Sequence, residues 1–205
     1  MAPYFLYPLK LLLKYPLLIL LFFLLSCSDQ KEINQLKNKY ADLFSKGADD
    51  SEATGPTVIP AENYTPIPSS NPRGRREEVV KFAYQYLGTP YIYASADPKT
   101  GFDCSGFINY VYRHFGYEVP RSSKDFLHFG KEIPVDRVQK GDLLIFYGTD
   151  LETPEIGHIG IVSRAAAGHS EFIHASSGKA NGVTVSALSS PHYAARFVKA
   201  ISILK

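Results

Sequence analysis

The feature that most constrains this chain is the stretch Thr100-Gly101-Phe102-Asp103-Cys104-Ser105-Gly106-Phe107-Ile108-Asn109-Tyr110-Val111-Tyr112. It sets a cysteine on the first turn of an apolar helix, directly after a glycine-containing loop. Phe107, Ile108, Val111 and Phe115 recur at spacings of one, three and four, which gives the helix one face to bury. Asp103 suits the N-cap, where its side chain accepts first-turn N–H groups. Gly116 suits the stop, with Arg113 and His114 placed against the last carbonyls. A thiol at a helix N-terminus feels the positive end of the dipole, so a lowered pKa is expected for Cys104.

The N-terminus bears on that cysteine. Lys10 and Lys14 precede the apolar run Tyr15 to Leu25, which is far shorter than the ~20 residues a spanning helix needs. Leu24-Leu25-Ser26-Cys27 resembles a bacterial lipoprotein box. Residues 1–26 are therefore expected to be a signal peptide and Cys27 the lipidated residue. Removing the two signal lysines leaves 20 basic residues from 22, against 20 acidic ones. A neutral mature chain gives no support for nucleic-acid binding. With Cys27 committed to lipid, Cys104 is a lone exported thiol, better explained as a nucleophile than as filler.

Residues 27–75 read as a tether. Ile33, Leu36, Tyr40, Leu43 and Phe44 have weak helical spacing, and the segment from Gly47 onward is rich in proline and small polar residues. The folded unit is expected over 76–205. Val79, Val80, Ala83, Tyr84 and Leu87 mark one face of a helix from Glu77 that Gly88 closes. Thr89 to Tyr93 reads as extended, Ala94 to Gly101 as a loop, and Ser122 with Asp125 as a capping box on a short helix. Beyond Gly141, short β-rich runs cover Asp142–Tyr147, His158–Ser163, Glu171–Ala175, Val183–Ser186 and Phe197–Leu204. Helices first and antiparallel strands afterwards make an α+β domain, with N-terminal helices packed on a C-terminal antiparallel sheet.

A cysteine nucleophile needs a base, and the base needs an orienting group. Of the six histidines, His114 lies about 15 Å along the helix from Cys104 at its 1.5 Å rise. His128, His169 and His192 sit in polar or turn-like surroundings. His158 and His174 lie in apolar strands joined by a hairpin. Pairing with i + j near 332 places them opposite each other, with Cβ atoms about 4.5–5.5 Å apart on one face. If the Cys104 helix packs on that face, a Cys–His–His set is assembled. Zinc on these three residues has no close ligand pair to support it, so no metal is expected. A serine-hydrolase elbow is also lacking.

Gly88-Thr89-Pro90-Tyr91, Gly101-Phe102-Asp103-Cys104-Ser105-Gly106-Phe107, Val119-Pro120-Arg121-Ser122-Ser123, Lys140-Gly141-Asp142-Leu143-Leu144-Ile145-Phe146, Gly157-His158-Ile159-Gly160-Ile161-Val162 and Phe172-Ile173-His174-Ala175 resemble the successive motifs of the NlpC-type cell-wall cysteine peptidases. The resemblance covers about residues 76–204. It implies a papain-like fold and hydrolysis of peptidoglycan stem peptides, at the bond between γ-D-glutamate and the diamino acid, without metal or organic cofactor. By position it makes Cys104 the nucleophile, His158 the general base, His174 the residue that orients it and Tyr91 an oxyanion donor. Asp103, Ser105, Arg121 and Ser122 become substrate contacts. Ala94-Ser95 stands where many members carry two glycines. A monomer held in the cell envelope by lipid on Cys27, at the outer membrane, is the expectation. A thiol amidase or acyltransferase and a non-catalytic wall-binding lipoprotein are the alternative readings.

Overall fold

The computed structural model describes residues 72–204; Cys27 and the signal and tether segments lie outside them. Helix α1 spans Pro72–Tyr84, starting before Glu77, and turns carry the chain on to Gly88 at φ 82°. The early start has a physical cause. Arg76, in the extra turn, donates to Asp142 Oδ1 at 2.7 Å, the Lys140 carbonyl at 3.0 Å, Ser202 Oγ at 3.0 Å and the Leu204 carbonyl at 2.9 Å. Val79, Val80, Ala83, Tyr84 and Leu87 are buried, as their spacing predicts. Inside the segment read as a loop, β1 (Ala96–Asp97) and β2 (Gly101–Phe102) form a small antiparallel ribbon.

Helix α2 spans Cys104–His114. Asp103 caps it, accepting the Gly106 N–H at 2.6 Å, and Gly116 at φ 78° turns the chain away beyond Phe115. The expected capping box at Ser122 is not formed. Ser122 begins a 3-10 turn over Ser123–His128 but its side chain makes no cap bond, and the Asp125 N–H goes to the Ser122 carbonyl instead.

Six strands follow: β3 (Lys131–Ile133), β4 (Leu143–Tyr147), β5 (Ile156–Arg164), β6 (Glu171–Ser176), β7 (Gly182–Ala187) and β8 (Phe197–Ser202). They pair antiparallel in the order β3-β8-β4-β5-β6-β7. A short helix, α3 (Pro191–Ala194), leads into β8. The edge strand β3 escapes sequence reading because three residues, mostly exposed, are too few to display alternation.

The edge of β7 is occupied by the segment after α1. Gly88 N–H donates to the Val183 carbonyl at 2.8 Å, Val183 N–H to Thr89 at 2.8 Å and Tyr91 N–H to Asn181 at 3.0 Å. The same segment reaches α2 on its other side. Ile92 N–H bonds the Phe102 carbonyl at 3.1 Å, Phe102 N–H bonds Pro90 at 3.0 Å, and Asp103 N–H bonds Ser95 at 2.9 Å.

The two sheet faces have different cover. On one, Val138, Leu144, Phe146, Val162, Phe172, Tyr193 and Ala200 form a buried cluster that contains no residue of α1 or α2. The alternate strand residues Leu143, Ile145, Ile159, Ile161, Ile173 and Ile201 are also fully buried, and the two helices cover that side. Alternation places His158 and His174 with Val162 and Phe172, so α2 lies across the sheet from the histidines. The expectation that the helix shares their face is thus overturned.

Candidate active site

The thiol lies at the start of β5. Cys104 Sγ lies 3.7 Å from the Gly157 carbonyl, immediately before His158. The N–H groups of Cys104 and Ser105 at the helix N-terminus, and that of Ile159 on β5, all favour its charged form. They do not prevail. Burial, reinforced by the Asp103 carboxylate, pushes the Cys104 thiol up to about 11, which reverses the lowered value that dipole reasoning predicts. The thiol is 8% exposed, and desolvation outweighs three N–H dipoles.

The histidine pair has a two-residue difference in register from the expectation. Ile161 pairs with Ile173 and Val162 with Phe172, so i + j is 334 (161 + 173) rather than 332. Because side chains repeat every two residues, a slip of two keeps both rings on one face and makes them diagonal neighbours. His158 Nε2 meets His174 Nδ1 at 2.9 Å. His158 Nδ1 is thereby the ring nitrogen left for a thiol. Burial, followed by the charge of Arg196 and then by His192, pushes His158 down to about 3. Burial followed by His158 also holds His174 well below the usual imidazole range. Both rings are neutral at pH 7.

Two glycines make this geometry sterically available. A Cβ on Gly160, which stands opposite His174, would come within 2.4 Å of the Phe172 ring and 3.1 Å of His174 Cβ. The space it leaves lets His158 and His174 approach diagonally. A Cβ on Gly106 would meet the Ser95 carbonyl at 2.1 Å, so the glycine of Asp103-Cys104-Ser105-Gly106 admits the Ser95 backbone against the first turn of α2.

Ser95 ends the turn that carries Tyr93 and Ala94. Its N–H bonds the Ile92 carbonyl at 3.2 Å, and Ala94 sits at φ 59°, where glycine is at ease and alanine is strained. Ala94 thus holds a left-handed turn where the resemblance would put a glycine. Ser95 Oγ also bonds the Gly101 carbonyl at 2.7 Å.

The remaining expected site residues divide. Asp103 receives Arg121 through both nitrogens, at 2.9 and 2.6 Å. Ser105 Oγ donates to Asp103 Oδ1 at 3.2 Å and accepts from Arg121 at 3.1 Å. These three residues form one polar cluster beside the thiol, with Arg121 still 43% exposed along its side chain. Ser122 is exposed and makes no cap bond. Tyr91 is half-buried. Burial, then the charges of Cys104 and Asp103, raise its hydroxyl pKa, so it stays a proton donor near the thiol. Sequence reasoning missed Ser186 and Tyr193, whose hydroxyls lie 3.0 and 3.4 Å from His174 Nε2. Strand pairing brings Ser186 there, and the short helix α3 brings Tyr193.

The chain matches the NlpC/P60 family over residues 88–202. The gamma-D-glutamyl-L-lysine dipeptidyl-peptidase of Bacillus subtilis is 34% identical over 95 residues, 46% of this chain and 31% of that protein. The probable endopeptidase NlpC homolog of Haemophilus influenzae is 31% identical over 121 residues, 58% of each chain. The chain covers less than two thirds of the length of either relative. Among solved structures, the peptidoglycan hydrolase RipB of Mycobacterium tuberculosis superposes with a TM-score of 0.52 at 26% identity, covering 88% of this chain and 85% of that one. The family match takes in Tyr91, the capped Cys104 helix and both strands of the histidine pair, and on that extent the chain belongs to the NlpC/P60 family.

Proposed function

We propose that this protein is a cysteine endopeptidase that hydrolyses peptidoglycan stem peptides, at the bond joining γ-D-glutamate to the diamino acid. The observation that carries the reading is the His158 Nε2–His174 Nδ1 contact at 2.9 Å, with the Cys104 thiol on the backbone carbonyl that precedes His158. The dipeptidyl-peptidase relative, named for a γ-D-glutamyl-L-lysine bond, supports the choice of substrate.

The proposed cycle is covalent. As the substrate carbonyl arrives, His158 Nδ1 takes the thiol proton and Cys104 Sγ forms the bond to carbon. The developing oxyanion is held by the α2 N-terminal N–H groups and the Tyr91 hydroxyl. The imidazolium then returns its proton to the leaving amine as the C–N bond breaks. Water, deprotonated by His158, attacks the thioester and releases the acid and the thiol. Asp103, Ser105 and Arg121 line the approach, and Ser122 stands at its outer end. In this reading Cys27 carries lipid and holds the domain in the envelope, at the outer membrane.

Mass spectrometry of muropeptides digested by the purified protein tests the reading, with Cys104→Ala as control. Stem-peptide products in the wild type alone support it, and identical products from both proteins would sink it. Turnover of small amides or lipids without stem-peptide cleavage would favour a thiol amidase or acyltransferase. Palmitate labelling that disappears in Cys27→Ser supports the anchor; labelling that persists would refute it.

A further inference from the structure

The rings of His158 and His174 continue into a third polar side chain. His174 pairs with Thr184 across β6 and β7, and Phe172 pairs with Ser186. Ser186 is therefore the diagonal neighbour of His174, just as His174 is the diagonal neighbour of His158. The three form one slanting row over β5, β6 and β7. Contacts run His158 Nε2 to His174 Nδ1 at 2.9 Å, then His174 Nε2 to Ser186 Oγ at 3.0 Å.

Each neutral ring carries one proton, so this row has only two arrangements. In the first, His158 Nε2–H donates to His174 Nδ1, His174 Nε2–H donates to Ser186 Oγ, and His158 Nδ1 is bare. In the second, every ring proton moves to the other nitrogen, and His158 Nδ1 carries a hydrogen that bars it from accepting the thiol proton. We infer that Ser186 is a positioning residue: its hydroxyl ends the row and supplies the acceptor that the first arrangement needs for the buried His174 Nε2–H. This rests on His158 acting as the base toward Cys104.

Acylation then moves one proton only. It leaves Sγ for His158 Nδ1, and the resulting imidazolium keeps its Nε2–H on neutral His174, whose own Nε2–H stays on Ser186. Without the hydroxyl, a buried ring N–H retains only Tyr193 Oη at 3.4 Å. A buried N–H without a good acceptor costs more than a bare ring nitrogen without a donor, so the equilibrium drifts to the second arrangement, in which His174 Nε2 carries no hydrogen.

Nitrogen-15 NMR of the histidine rings in the full-length protein, with no substrate present, reads the arrangement directly. The expected wild-type result is a proton on Nε2 of both His158 and His174, with Nδ1-protonated His158 appearing in Ser186→Ala. Ser186→Ala is expected to lower kcat on muropeptides about tenfold with KM unchanged, the scale of one lost buried partner. Ser186→Thr, which keeps a hydroxyl on the strand, is expected to restore both readouts. A wild-type His158 protonated on Nδ1 overturns the inference, as does a Ser186→Ala protein unchanged in tautomer and kcat. If Ser186→Ala fails to fold, the wild-type tautomers and Ser186→Thr decide. Because the NMR readout needs no turnover, it remains decisive if the endopeptidase reading itself fails.

Discussion

At the scale of single residues, the site holds a neutral thiol, one residue's carbonyl away from a neutral imidazole. The Cys104 pKa is driven up by burial and Asp103, and the His158 pKa down by burial and the charge of Arg196. A base with a lowered pKa stays unprotonated to lower pH, so the acid limb of activity moves down, away from the usual imidazole value of about 6.5. The kcat/KM profile is expected to be flat from about pH 5 to about pH 9. Iodoacetamide alkylation of Cys104 is expected to accelerate only as pH climbs toward about 11. An acid limb centred near 6.5, or rapid alkylation at pH 6, would show that the resting state is instead a thiolate–imidazolium pair. Dipole reasoning from the sequence expected the opposite sign of shift at Cys104, because the depth of burial of a helix terminus is set by distant residues.

At the scale of elements, helices and strands differ in how legible they are. The Cys104 helix was readable in full: cap, apolar face and glycine stop are all local, and Asp103, Phe107, Ile108, Val111 and Gly116 do what their spacing requires. The shared face of His158 and His174 was readable too, because parity survives a slip of two residues. Their exact register was not. It depends on an irregularity between Val162 and Arg164, a bulge that hydrophobic alternation does not encode. The side of the sheet chosen by α2 was equally hidden, since both faces of β4, β5 and β6 carry buried apolar residues. Gly106 is the sharpest local test of how α2 is seated. Ala at that position would place a methyl 2.1 Å from the Ser95 carbonyl, on backbone that must shift. Gly106→Ala is expected to cost about 1–3 kcal/mol of stability in urea unfolding, on the scale of overpacking, and more than tenfold in kcat. A variant as stable and active as the wild type would mean that the turn moves freely.

At the scale of the molecule, α1 is joined to the sheet by Arg76 and Asp142. The carboxylate is 1% exposed along its side chain and the guanidinium 13%, and Asp142 also accepts the Gln139 N–H at 2.7 Å. Removing one partner of such a pair leaves a buried charge alone, so Arg76→Ala is expected to destabilise the domain by about 3–5 kcal/mol. Chemical denaturation measures this, and a loss below about 1 kcal/mol would reduce the pair to a surface contact.

Residues 88–95 make the complementary connection on the far side, bonding the β7 edge through Gly88, Thr89 and Tyr91, β2 through Ile92 and the N-cap of α2 through Ser95. In mechanical terms this segment is a tie-rod between the sheet edge and the cap of α2. One end is bolted beside the strand that carries Ser186, the other beside the helix that carries Cys104. A load applied to the rod at Tyr91 is transmitted to both ends together. Moving it disturbs the edge of the strand that carries Ser186 and the cap of the helix that carries Cys104 together.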